Sequence, residues 1–241
     1  MKRTLVLSLG LLVAAGCDSS DPDPVAVDVR VMTQNLYLGG DLFVVADPTL
    51  SAEQVPVRVA QLYGTIEASD PAARMAAIAA EIAEVDPDLV GLQEVSAFYV
   101  QSPAANLPGG AATPATAVTF DFLDLLMTAL AAAGADYRVV STAVNSDVEF
   151  PATADGASFF DVRYQDFDVV LARSDVSTGQ TRGQAFGTLV SFPIGGIEQT
   201  FIRSFQTVDA TVDGLDFTFV NTHLEVGGAA EQAQVVQALE L

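Results

Sequence analysis

Asp86-Pro87-Asp88-Leu89-Val90-Gly91-Leu92-Gln93-Glu94-Val95 is the stretch on which the fold turns. After Pro87 the apolar residues Leu89, Val90 and Leu92 do not alternate with polar ones, the pattern of a strand buried on both faces. The run ends in Gln93-Glu94, so a buried strand delivers a carboxylate at its C-terminal edge, where α/β sheets collect ligands. Just upstream, Pro71 to Val85 reads as a helix. Asp70 is its N-cap and Pro71 occupies the first helical position. Met75, Ile78, Ile82 and Val85 recur at helical spacing on one face. A helix leading directly into a buried strand sets an α/β class.

Outward from this pair the same logic assigns the other elements. Val25 to Val31 alternates apolar and charged residues, the period of a half-buried strand. Gln101 to Thr116 is rich in Ala, Pro, Gly and Thr and reads as a loop. Phe122 to Ala133 forms a second helix that Gly134 ends. Tyr137 to Ser141 and Phe167 to Ala172 read as strands. Phe201 to Val212 and Leu215 to Asn221 flank Asp213-Gly214, a two-residue hairpin signal. A last helix starts near Ala229. One domain follows from this order, with helices covering packed sheets.

The N-terminus belongs to another argument. Met1-Lys2-Arg3 is followed by an apolar run, Leu5 to Ala15, too short to span a bilayer, and small residues lead into Cys17; that layout is an export signal. Val13-Ala14-Ala15-Gly16-Cys17 resembles a bacterial lipobox, in which the cysteine is acylated. Cys17 is the only cysteine, so no internal disulfide exists. Residues 1–16 are therefore expected to be a lipoprotein signal peptide, 17–26 an acidic tether and 27–241 the folded domain. The expected location is outside the cytoplasm, lipid-anchored to a bacterial cell membrane on its periplasmic or cell-surface face. No protein partner is inferred.

Composition narrows the ligands. The formal net charge is −21, with 31 acidic residues against 10 basic ones. Lys2 is the only lysine, so every later positive charge is an arginine. Such a field repels polyanions and weighs against non-specific nucleic-acid binding through the phosphate backbone. It suits a surface that recruits divalent cations, and equally an ordinary acidic exported protein.

Four segments, Val31–Asp41 (VMTQNLYLGGD), Asp86–Val95, Tyr164–Arg173 (YQDFDVVLAR) and Phe219–Val226 (FVNTHLEV), together resemble the endonuclease/exonuclease/phosphatase superfamily, in its order and spacing. The resemblance implies two packed, mainly antiparallel β-sheets flanked by helices, a four-layer α/β sandwich. It implies that Glu94 is the main metal ligand with Asn35 supporting it, the ion being Mg²⁺ or Mn²⁺. A single carboxylate suffices, because Mg²⁺ keeps several waters. His223, the only histidine, would be charged by a carboxylate and act on the phosphate or the leaving group. Asp166 matches the family's partner position, with Asp replacing Glu. Asp168 competes, because a strand position two along points to the same side. Tyr164 and Asn221 fall in the same motifs and are expected to touch substrate. Arg74, on the helix before Glu94, is expected to be structural.

The family's later Gly-Asp-x-Asn segment and terminal Asp-His pair are absent from these residues. The expectation is therefore a domain incomplete at its C-terminus and inactive alone. The activity implied is metal-dependent hydrolysis of a lipid, nucleotide or nucleic-acid phosphoester; the alternative is a catalytically inactive surface lipoprotein that binds through a retained pocket.

Overall fold

The computed structural model describes residues 26–105, 113–194 and 196–241. The expected signal peptide, Cys17 and all of the tether but Ala26 lie outside them. Strand β1 (Val31–Asn35) pairs in parallel with β2 (Leu89–Gln101), placing Asn35 opposite Gln93. Between these strands come a short 3-10 turn at Leu42–Val45 and two helices, α1 (Val55–Ala68) and α2 (Pro71–Val85).

Helix α2 forms over the expected residues. The Asp70 side chain accepts the Ala73 N–H, and Met75, Ile78 and Ile82 are buried. Helix α1 has no counterpart in the sequence reading. Its buried residues Val55, Val59, Tyr63 and Ile66 do follow helical spacing, but Gln54 supplies no side-chain cap. The strand expected over residues 25–31 is corrected: Ala26 to Arg30 form no strand, and pairing begins at Val31. Alternation here serves docking instead, since the Arg30 N–H donates to Asp88 at 2.7 Å while Val27 and Val29 pack against an inter-sheet cluster.

β3 (Ala117–Asp121) leads into α3 (Phe122–Ala132), followed by the long hairpin β4 (Tyr137–Ala152) and β5 (Phe160–Arg173). The larger sheet runs β1-β2-β5-β4, with β3 added beside β2. β4 and β5 extend well past their expected windows. Their outer parts carry polar residues that only a partner strand turns into sheet, for instance the Arg163–Asp147 ion pair at 2.6 Å.

Next come β6 (Ser177–Ala185), the small hairpin β7 (Val190–Ile194) and β8 (Ile197–Phe201), then β9 (Ser204–Val212), β10 (Leu215–Thr222) and α4 (Glu231–Glu240). The order in the second sheet is β10-β9-β6. The strand expected over Phe201–Val212 is broken at Ile202-Arg203, where Ile202 donates its N–H to Asn145 O at 3.1 Å. The hairpin at Asp213-Gly214 forms as expected, both residues having positive φ (49° and 84°).

Two apolar clusters hold these layers. Helices α1, α2 and α3 cover one face of the larger sheet through Ile66, Met75, Ile82, Phe122 and Leu126. Its other face meets the second sheet through Leu89, Val170 and Ala172 against Val208, Ala210 and Val212. The fold is thus α/β, with mixed and antiparallel sheets and four α-helices among the described residues. Helix α4 docks by polar contacts instead: Gln237 accepts from the Glu225 N–H and donates to Thr188 O, both at 2.8 Å. No described helix is long and apolar enough to cross a membrane.

Polar links also cross the inter-sheet layer. Ser204 and Gln206 of β9 bond Asn145 and Ser141 of β4, and a further link reaches the centre of the larger sheet. Asn221 of β10 reaches β2 and β5, accepting from Gln93 Nε2 at 2.7 Å and donating to Leu92 O at 3.3 Å and Val169 O at 3.4 Å. It passes over Gly91, where a Cβ would collide with the Asn221 amide. Gly91→Ala is therefore expected to lower the unfolding free energy by about 2 kcal/mol. The urea midpoint should fall at unchanged m. Gly179→Ala, whose Cβ would meet only ordinary contacts with Asp209, serves as the control and should stay within about 0.5 kcal/mol of wild type.

Candidate functional site

Glu94 is placed by a defect in β2. Register slips between Leu92 and Val95, so that Gln93 and Glu94 stand opposite Asp168 alone, a β-bulge. Glu94 has φ +55°, a conformation that side chains other than glycine rarely adopt. The strain is held by specific bonds. Asn35 Nδ2 donates to Glu94 Oε1 and the Leu38 N–H to Oε2, each at 2.7 Å. Asn35 Oδ1 accepts the Tyr37 N–H at 2.7 Å, which folds the chain after β1 back toward Glu94. Arg74 braces that turn from behind, donating to Leu36 O and to Ser69 O, both at 3.1 Å, and to Ser69 Oγ at 2.9 Å. This is the structural part expected of it.

The second half comes from β5, β10 and the break before β9. His223 Nδ1 lies 2.9 Å from Arg203 Nη1 and 3.9 Å from Asp168 Oδ1. Of the two competing carboxylates, Asp168 is the nearer to the imidazole. Arg203 in turn donates Nε to the buried Glu225 at 3.2 Å. Asp166 Oδ2 accepts from Asn145 at 3.4 Å, whereas Asp166 Oδ1 and both Asp168 oxygens are buried without a hydrogen-bond partner.

A cavity of about 180 Å³ joins the halves, with Glu94, Tyr164, Asp166, Arg203, His223 and Glu225 among its lining residues. Phe43, Phe192 and Phe201 form an aromatic wall, with Phe43–Phe192 and Phe192–Phe201 ring centroids 5.3 Å and 5.9 Å apart. Asp41 lines it too and caps the 3-10 turn by accepting the Phe43 N–H at 2.9 Å.

Two expectations are corrected. Asn221 does not line the cavity: it is 3% exposed and its amide is used up inside the inter-sheet layer. His223 is not held as an imidazolium. Burial first, and the Arg203 charge second, push it down to about 3. Tyr164 lines the cavity, but its ring is buried against Phe98 at a centroid distance of 5.2 Å. Arg203 and Glu225 were missed. A lone Arg in the apolar stretch Phe201-Ile202-Arg203 was the available signal, and Glu225 sits two residues beyond the histidine in a segment already singled out.

The donor set fits one hard cation that keeps most of its water. Glu94 is only half-buried, and each of its oxygens accepts one protein hydrogen bond, leaving lone pairs toward the cavity. No group of three or more His, Cys, Asp or Glu side chains among the described residues could hold a metal alone.

The chain belongs to the endonuclease/exonuclease/phosphatase family, whose sequence model matches residues 32–238. No curated protein matches it in sequence. Among solved structures it is similar to an endonuclease/exonuclease/phosphatase family protein from Leptotrichia buccalis C-1013-b, at 13% identity over 88% of this chain and 62% of that one (TM-score 0.43). It is similar to an endonuclease/exonuclease/phosphatase from Beutenbergia cavernae DSM 12333, at 25% identity over 69% of this chain and 38% of that one (TM-score 0.39). TDP2 from Caenorhabditis elegans shares 15% identity over 70% of this chain and 35% of that one (TM-score 0.37). The chain covers 35% to 45% of the length of the TDP2 structures it resembles.

The titrating groups give a pH signature. Burial pushes the Asp166 carboxyl up to about 7; burial and then the adjacent Asp166 charge do the same to Asp168. Protons kept by these carboxyls favour the fold at low pH, and that contribution is lost as pH rises from about 4 to about 7. His223 acts oppositely: its contribution is present above about 6.5 and is lost as pH falls toward its folded value. Two protons outweigh one, so stability from this cluster should fall as pH rises between 5 and 7. Asp168→Asn removes one carboxyl and should flatten the dependence of the urea midpoint on pH. An unchanged slope would mean that Asp168 is ionised throughout.

Proposed function

We propose that this protein hydrolyses phosphoester bonds with the help of a divalent cation, as an exported lipoprotein. The observation that carries the reading is Glu94: a carboxylate held in a left-handed bulge by Asn35 and the Leu38 N–H, at a cavity that also receives Arg203, Asp166 and His223. Backbone strain of this kind persists where the surrounding structure over-determines it, and it clusters at functional sites. Membership of the family supports the reaction class. A four-layer sandwich, with helices outside two packed sheets, is the architecture that goes with this reading.

In this proposal Glu94, oriented by Asn35, holds Mg²⁺ or Mn²⁺. When bound, the ion supplies Lewis-acid polarisation of a phosphate oxygen. The aromatic wall and Tyr164 exclude water from one side of the ester. His223 donates a proton toward the leaving oxygen once it is charged, and buried Asp168 keeps the ring oriented. The substrate is a phosphoester of lipid, nucleotide or nucleic-acid type, and the net charge of −21 weighs against long duplexes. The second reading, a surface lipoprotein that binds without turnover, is favoured by the tie between His223 and Arg203, which leaves the ring uncharged.

Hydrolysis of bis(p-nitrophenyl) phosphate tests both. We expect turnover that needs Mg²⁺ or Mn²⁺, stops with chelator and falls by about 10²–10³ in Glu94→Gln, with partial rescue at raised metal concentration. Cation binding without turnover would leave only the second reading, and turnover unaffected by Glu94→Gln in a folded variant would remove Glu94 from the site.

The location is tested apart from the chemistry. Cys17 is proposed to carry the acyl anchor, so Cys17→Ser should release the protein from the membrane fraction or block its maturation. Unchanged fractionation would refute the anchor.

A further inference from the structure

Among the described residues, Arg203 is the only Lys or Arg lining a cavity that also presents Asp41, Glu94, Asp166 and Glu225. An anionic ester entering such a cavity needs a fixed positive charge. Other arginines point elsewhere. Arg74 does not line the cavity and donates to Leu36 and Ser69, its Nη2 buried without a partner. Arg163 pairs with Asp147, Arg173 with Asp88 and Asp175, and Arg138 bonds Val176 O. Arg203 is also anchored for a purpose. Buried Glu225 takes its Nε, and the Glu225 backbone N–H is pinned by Gln237 of α4. Apart from Nε and the contact to His223, the guanidinium fork has no hydrogen-bond partner among the described residues. A planar fork with free donors suits two parallel bonds to a tetrahedral oxyanion.

Its present second partner is the odd one. Arg203 has only donors, so at 2.9 Å it forces His223 Nδ1 to act as acceptor, which keeps the ring neutral. The same nitrogen is 3.9 Å from Asp168 Oδ1, and both Asp168 oxygens are buried with no donor. Leaving such atoms unsatisfied is costly. One nitrogen thus stands between a cation using it as acceptor and a buried carboxyl group without a hydrogen-bond partner.

We propose that Arg203 binds the phosphate of the ligand and, in doing so, releases His223 to Asp168. The oxyanion replaces the imidazole as acceptor for Arg203. Nδ1 then takes up a proton, from the Asp168 carboxyl where it still holds one and from solvent at higher pH. It donates that proton to the Asp168 carboxylate, leaving Nε2–H free for the ester oxygen. This deepens the phosphoester reading of the site and rests on it. The charged groups around His223 are Arg203 before β9, Asp166 and Asp168 on β5, Glu94 on β2 and Glu225 after β10. Of these, Arg203 alone opposes protonation and is the one an anion would draw away.

His223 is the only histidine in the chain, so its Cε1–H proton resonance on untagged protein is a single clean reporter. Inorganic sulfate is the probe, a tetrahedral dianion with no proton equilibrium of its own near neutrality, with chloride at matched ionic strength as control. Without sulfate the resonance should hold its neutral position from pH 5 to 8. With saturating sulfate its midpoint should rise into that window, at or below the ordinary histidine value of about 6.5, because the ring stays buried. In Arg203→Gln it should titrate there without sulfate and ignore its addition. Arg203→Lys, which keeps the charge but loses the fork, should bind sulfate about tenfold more weakly.

A wild-type resonance indifferent to sulfate, or shifted equally by chloride, overturns the proposal whether or not the variants fold. Equal responses in wild type and folded Arg203→Gln overturn it as well. The two readings fail separately. Turnover of the aryl diester with His223 indifferent to sulfate overturns this inference alone. Coupling of sulfate to His223 with no turnover supports it and removes the catalytic reading.

Discussion

Everything in the site hangs on the passage of Asn221 across the inter-sheet layer. Its amide bonds Gln93 and the main-chain carbonyls of Leu92 and Val169, tying β10 to β2 and β5 one residue short of the bulge. Besides it the sheets are joined by apolar contacts, which are not directional, and by the Ser204–Asn145 and Gln206–Ser141 bonds between β9 and β4, neither of which reaches β2. With it, the end of β10 is registered against the end of β2, and His223 and Glu94 enter one cavity. Gly91 is the condition for this approach, since any side chain there would occupy the space the amide uses.

The bulge at Glu94 is the second constraint. A regular strand would turn Glu94 to one face by strict alternation; the extra residue re-aims it at the sheet edge. The loop after β1 is shaped to hold it there, with Tyr37 also at positive φ and Leu38 offering its N–H. Asn35 is thus first a positioning residue for Glu94. Arg74 stabilises the loop from the helix side, which explains why a half-buried arginine lies near Glu94 without pairing with it.

Electrostatically the site is overloaded with acid. Asp166 and Asp168 are buried on one strand with three unpartnered oxygens between them, and burial drives both toward the protonated form. Among the described residues Arg203 is the one counter-charge lining the cavity, and it is shared between Glu225 and His223. That imbalance suits a resting state whose polar groups rearrange when a charged ligand arrives.

Helix α2, buried β2, α3 and the Asp213-Gly214 hairpin were legible locally, because caps, helical spacing and turn chemistry are properties of neighbouring residues. So were Glu94 and His223, each the one charged or titratable residue closing an apolar run. Helix α1 was passed over for want of a cap, and the outer arms of β4 and β5 because polar residues become strand only against a partner. The site's partnerships were out of reach. Arg203, Asp168 and His223 all lie 20 residues or more apart in the chain. What the sequence determined by itself was the class of fold and which residues could carry charge to a strand end. The tertiary structure decided which of them meet, because inter-sheet register and burial, not residue type, set who accepts from whom and which groups hold their protons.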